Sequence, residues 1–239
     1  MNSQAAVNRE QTATRRRVHA DTHAQPELTV VTGLPPRVIT RYERFGKRAF
    51  DIVFSLVLLV VLLPVMAATA LAVRLSMGKG VLYLQDRVGR NGRTFRIYKF
   101  RSMREDRRRA PDPVPVDGED RRQTHKTDHD PRHTKVGRMI RKLSLDELPQ
   151  LLNILRGDMS LVGPRPELVT VAKAHDMVAH QRHQVRPGLT GPWQLSQWRD
   201  RPIYEHLEPD EAYVEKLTLR KDLGYLLRTA GAVFGASGH

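Results

Sequence analysis

The chain has 239 residues, enough for one domain with its own core plus appendages. Its 40 Lys and Arg against 26 Asp and Glu give a formal net charge of +14, which calls for an anionic partner such as a phosphorylated substrate or an anionic lipid surface. Nucleic acid would also satisfy that charge, but aromatic residues, at 6%, are thin for a protein that stacks single-stranded bases, and a long apolar segment argues against such a partner; without cysteine there is neither a disulfide framework nor a thiolate zinc site, which fits a cytoplasmic location.

Residues 1–40 are polar, Thr- and Arg-rich and aperiodic, with Pro26, Pro35 and Pro36, and are expected to form a disordered tail. Residues 41–76 are expected to be a membrane unit. Ile52 to Val73 carries no charge and, at about 1.5 Å per residue, is long enough to cross a hydrocarbon core of about 30 Å. The run is not terminal and lacks a small-residue cleavage pattern, so it is not read as a signal peptide. Arg41, Arg44, Lys47 and Arg48 precede it, and Arg74, Lys79, Arg87 and Arg90 follow it. Basic flanks at both ends place both ends on the cytoplasmic side. Pro64, in mid-segment, removes a helical hydrogen bond and bends the chain. The pattern predicts a helix broken at Pro64 that dips into one leaflet and returns; a kinked single crossing is the alternative.

Residues 77–239 form the basic globular part. Asn91-Gly92, between Leu82 and Leu84 on one side and Phe95 and Ile97 on the other, predicts a β-hairpin. Lys99, Arg101 and Arg104 follow on a short stretch that would also serve as a solvated face or a lipid-facing one. Residues 105–130 read as a Pro- and charge-rich loop insert. His125, His129 and His133 have the spacing of a helical metal face, but Pro131 interrupts that helix and argues against it.

The stretch from Ser144 to Pro166, SLDELPQLLNILRGDMSLVGPRP, holds the densest pattern. Ser144 and Glu147 fit a capping box, and Leu145, Leu148, Leu151, Leu152 and Leu155 recur at helical spacing up to Gly157. A well-capped core helix shows the same pattern. The alternative is an active site: adjacent carboxylates Asp146 and Glu147, followed by an arginine-bearing Gly163-Pro164-Arg165-Pro166 turn that could hold an anion. A second rigid turn, Arg186-Pro187-Gly188-Leu189-Thr190-Gly191, is led by its own arginine. From about Pro209 the chain is expected to be helical.

Taken together, KRAFDIVFSLVLLVVLLPV, QDRVGRNGRTFRIYKFRSM, DPRHTKVGRMIRKLSLDELPQLLNILRGDMSLVGPRPEL, VRPGLTGPWQL and DEAYVEKLTLRKDLGYLLRT occur in the order and spacing of one family. From about Phe45 to Thr229 the chain resembles the bacterial sugar transferases, the monotopic phosphoglycosyl transferases of glycoconjugate assembly, in their small form. The resemblance implies an α+β fold, mainly α, with the helix re-entrant at Pro64, amphipathic interfacial helices and a short hairpin. It implies a location on the cytoplasmic face of the inner membrane. It also implies a reaction: a sugar 1-phosphate passes from a UDP-sugar to undecaprenyl (polyprenyl) phosphate with release of UMP, as the first step of exopolysaccharide, capsule, O-antigen or glycoprotein glycan assembly. Downstream glycosyltransferases would be further partners.

By the same resemblance Asp146 is the nucleophile that forms a covalent phosphosugar intermediate, Glu147 is its partner, and Mg²⁺, at Asp146, is the cofactor. Arg186 and Arg165 are the first candidates for binding phosphate, followed by Lys99 and Arg101, and then Arg87. Three features depart from the family pattern: Leu63 where a serine often precedes the proline, Gln197-Trp198-Arg199 where relatives often carry Gly-Arg, and the charged insert. The competing reading is a catalytically idle membrane scaffold that binds anionic lipid through its basic surface; the intact Asp146-Glu147 pair argues against it.

Overall fold

The computed structural model describes residues 37–104 and 134–234, with side chains up to 232. The expected tail up to residue 36, the insert at 105–130 and the three histidines at 125, 129 and 133 lie outside the described residues. The described chain is mainly helical. A π-helical turn, Tyr42–Gly46, leads into α1 (Lys47–Met77); β1 (Leu82–Val88) and β2 (Thr94–Phe100) follow, then α2 (Lys135–Lys142), α3 (Gln150–Arg156), β3 (Ser160–Val162), α4 (Val169–Ala174), β4 (Gly188–Thr190), α5 (Glu208–Glu215) and α6 (Leu219–Phe234).

The hairpin forms as its turn chemistry dictates. β1 and β2 pair antiparallel from Leu82 with Phe100 to Val88 with Thr94, and Asn91 takes the left-handed conformation (φ 56°) that the reversal needs. β3 and β4 form a short parallel pair, Ser160 with Gly188 and Val162 with Thr190, which no alternation in the sequence announced. Three glycines permit it by close approach. A Cβ at Gly163 would stand 2.4 Å from the Arg186 carbonyl, and one at Gly191 would stand 1.9 Å from the Gly163 carbonyl. The two arginine-led turns are therefore pressed backbone to backbone.

The long apolar helix is present, and every residue from Lys47 to Met77 is helical. Pro64 lies inside it, so the expected division into two half-helices is not seen. A proline removes one hydrogen bond and crowds the carbonyl four residues back, while the turns on either side stay intact. Much of the helix surface is apolar and exposed, Val60 at 72% and Leu75 at 78% among others.

Both ends of this helix dock on the same body. At the first end, Lys47 Nζ reaches Asp222 Oδ2 at 2.7 Å, and Asp51 Oδ1 accepts from Ser160 Oγ at 2.9 Å and from the Leu161 amide at 3.1 Å. Arg48 donates to the Ile154 and Leu155 carbonyls at the end of α3. Lys47 and Arg48, two of the basic flanking residues read as a topology signal, are thus also committed to internal contacts. At the other end Val73 packs with Phe100 and Ile140, and Arg101 Nη2 donates to the Met77 carbonyl at 2.6 Å. The main core unites Ile97, Leu151, Ile154, Met159, Leu161, Tyr213 and Leu217 beneath the hairpin. Leu219, Leu223 and Leu227, four residues apart on α6, remain exposed, as do Met139 on α2 and Leu143 just after it.

Candidate active site

Asp146 and Glu147 sit in a 3₁₀ turn, Leu145–Glu147, that precedes α3 rather than in the first turn of that helix. Pro149, which has no amide hydrogen to donate, separates the two. The expected capping box does not form. Ser144 is left-handed (φ 54°) and makes no side-chain capping bond, and the Glu147 carboxylate turns instead to Lys99. Leu145 and Leu148 bracket the turn and pack into the cluster of Val73, Phe100 and Ile140, so the carboxylates stand beside the end of the apolar helix.

Lys99, on β2, donates to Glu147 Oε1 at 2.7 Å. β2 is held at that distance by Asn153, a fully buried residue of α3. Its Nδ2 donates to the Arg96 carbonyl at 2.7 Å, and its Oδ1 accepts from the Tyr98 amide at 3.0 Å. One carboxamide thus substitutes for a neighbouring strand and fixes the lysine against the carboxylate pair. The sequence pattern gave no sign of this role.

An open recess lies beside Glu147, lined by Arg87, Lys99, Glu147, Gln150, Arg165 and Gln194 with Ile97 and Leu189 as apolar walls; Asp146 adjoins Glu147 in the chain but is not among the lining residues. Three of the five expected phosphate-binding cations therefore meet there. Arg87 is steadied by the Pro166 carbonyl and the buried Glu167. The Arg165 guanidinium lies 5.9 Å from the centre of the Trp193 ring. The other two cations lie apart from the pocket: Arg101 donates to carbonyls at the end of α1, and Arg186 Nε donates to the Gly157 carbonyl at 2.8 Å.

The two carboxyls differ sharply in acidity. Burial and the neighbouring Glu147 charge push Asp146 up to about 6, against the pull of Lys99 and Arg141. For Glu147 burial acts upward too, but Lys99, Arg165 and Arg87 outweigh it and hold the carboxyl at about 2. Glu147 is thus an anion held against a lysine, while the Asp146 carboxyl is the weaker acid of the two.

Among the described residues no three His, Cys, Asp or Glu side chains converge as a metal cage. Mg²⁺ does not require one, since it commonly takes one or two carboxylates and completes its shell with water and substrate phosphates. Asp146, the carboxylate next to the lining residue Glu147, is of the donor type that such an ion takes.

Residues 42–236 match the family model for bacterial sugar transferases. The chain is 41% identical over 192 residues to the exopolysaccharide production protein ExoY of Sinorhizobium fredii, covering 79% of this chain and 85% of that one. It is 43% identical over 173 residues to an undecaprenyl-phosphate glucose phosphotransferase of Komagataeibacter xylinus, 70% of this chain and 30% of the relative. It is 39% identical over 202 residues to an undecaprenyl-phosphate galactose phosphotransferase of Salmonella typhimurium, 83% of this chain and 42% of the relative. The chain belongs to the bacterial sugar transferase family and is a transferase. It spans most of the ExoY relative and less than half of the two longer phosphotransferases.

Proposed function

We propose that this transferase moves a sugar 1-phosphate from a UDP-sugar to undecaprenyl phosphate through a covalent intermediate on Asp146. The observation that carries the reading is the carboxylate pair with unequal acidities beside three converging cations, Arg87, Lys99 and Arg165, at the end of a membrane-length apolar helix. Arg87, Lys99 and Arg165 bind the diphosphate and offset its charge. An Asp146 oxygen attacks the sugar-bearing phosphorus, and the bond from that phosphorus to the oxygen bridging it to UMP breaks. UMP leaves with the bonding electrons. A phosphate oxygen of undecaprenyl phosphate then attacks the same phosphorus, the bond to Asp146 breaks, and the carboxylate is restored with a polyprenyl diphosphate sugar as product. Glu147 holds Lys99 in place. Mg²⁺ held by Asp146 and the diphosphate would neutralise charge on the leaving phosphate.

The same reading puts the protein on the cytoplasmic face of the inner membrane, embedded in one leaflet. Both ends of α1 dock on the same body, through Lys47, Arg48 and Asp51 at one end and Val73 and Met77 at the other, and this supports a helix whose two ends lie on one side of the bilayer.

Two experiments test these statements. Membranes carrying the wild type should release UMP from at least one UDP-sugar, and Asp146→Asn should release none above background; equal release from both would remove Asp146 from the chemistry. The chain has no native cysteine, so single cysteines at Arg44 and Lys79 report cleanly on topology. Neither should react with an impermeant reagent outside intact cells, and labelling of one alone would establish a crossing.

A further inference from the structure

We propose that Gln150 is a substrate-binding residue whose carboxamide donates a hydrogen bond to a phosphoryl oxygen of the nucleotide sugar's diphosphate. The inference rests on the transferase reading above and adds to it a neutral donor among the cations. Gln150 is the first residue of α3 and only 2% exposed, yet it lines the pocket together with Lys99, Glu147 and Arg165. Its Nε2 has no hydrogen-bond partner. A buried polar group is nearly always paired, so an unpaired donor on a pocket wall marks a place where a ligand atom completes the bond.

The unpaired atom is a donor, and its surroundings select an anion: three cations share the same pocket, and the carboxylate that lines it, Glu147, is already held by Lys99. A phosphoryl oxygen has lone pairs and no proton to give, so it complements this arrangement. Unlike a lysine or arginine, an amide adds direction without altering the charge balance on which the acidity of Asp146 depends. It can therefore orient the phosphorus for attack while leaving the nucleophile's ionisation untouched.

The test uses the purified full-length chain in detergent, with UDP, UDP-glucose, UDP-galactose and UDP-N-acetylglucosamine as probes. Gln150→Met keeps the volume and removes the donor. In the absence of nucleotide it should melt at the wild-type temperature or above, because a buried unpaired donor has been deleted. The KM for every UDP-sugar turned over should rise about tenfold, the usual worth of one hydrogen bond to a charged group, and stabilisation by UDP should shrink in parallel. Gln150→Glu, of equal length but negative charge, should lose more, roughly a hundredfold in kcat/KM.

A Gln150→Met protein with wild-type KM and wild-type stabilisation by UDP would overturn the proposal, whatever its melting temperature. So would a KM rise confined to one sugar with UDP binding intact, which would mean contact with a sugar hydroxyl. A wild type that neither releases UMP from any probe nor is stabilised by UDP would overturn the transferase reading and this inference with it. An active wild type beside an unaffected Gln150→Met would overturn this inference alone.

Discussion

The two arginine-led turns look alike in sequence and are used differently. Gly163-Pro164-Arg165-Pro166 and Arg186-Pro187-Gly188 lie backbone to backbone, joined by the parallel β3–β4 pair. Arg165 lines the pocket and acts electrostatically on Glu147. Arg186 turns the other way and satisfies the carbonyl of Gly157, the left-handed residue that ends α3. A rigid turn aims an arginine, but a nearby orphan carbonyl decides whether the side chain is held by the fold, as Arg186 is, or lines the pocket, as Arg165 does.

Substitutions can break that contrast. The largest effect is expected at Arg165: Arg165→Met should cut kcat/KM by roughly a hundredfold or more, the usual loss for one preorganised donor, with little change in melting temperature. Lys99→Met comes next and carries a signature in pH. Asp146 is raised to about 6, so the nucleophile is ionised above that pH and lost below it, and kcat/KM should show an acid limb near pH 6. Lys99 pulls that value down; its removal should slow the enzyme and move the limb to higher pH, whereas a limb that moves downward or stays fixed would contradict the assignment. The smallest effect on catalysis is expected at Arg186. Arg186→Met should cost about 1–2 kcal/mol of stability, or about 2–6 °C in melting temperature, with only a few-fold change in rate. If instead Arg186→Met is stable and inactive, the two turns share the substrate and the contrast fails.

What the sequence disclosed follows the range over which each signal acts. The Asn91-Gly92 hairpin and the uncharged run of α1 are local patterns; the hairpin is found as read, and the run is a long apolar helix but without the expected break at Pro64. The pocket residues Glu147, Lys99, Arg87 and Arg165 were also nominated, because adjacent acids and arginine-led turns stand out and the family resemblance ranked them. The capping box failed on a local detail: Ser144 is left-handed and Glu147 prefers a lysine brought from 48 positions away. Arg101 and Arg186 are expected phosphate ligands from the family resemblance and, for Arg186, from its rigid turn, and neither signal reveals a nearby carbonyl in need of a donor. Asn153 and Gln150 escaped notice for the opposite reason. Both are neutral amides inside an apolar-periodic segment, and only the packed structure shows one bonding to β2 and the other left open to the pocket.

The buried anchor at the start of α1 also orders events in time. Among the described helices Lys47 and Asp51 belong to the first long one made, while Asp222, which closes on Lys47 at 2.7 Å, belongs to the last. At about 5–20 residues per second a ribosome needs on the order of ten seconds to travel between them. For most of that interval the apolar helix is already made and its polar foot has no acidic partner from α6. The nascent chain must therefore hold the helix in lipid, or in a chaperone's grip, before the enzyme can lock it in place. A variant lacking the Asp222 carboxylate would be made at the normal rate and then fail at that final latch.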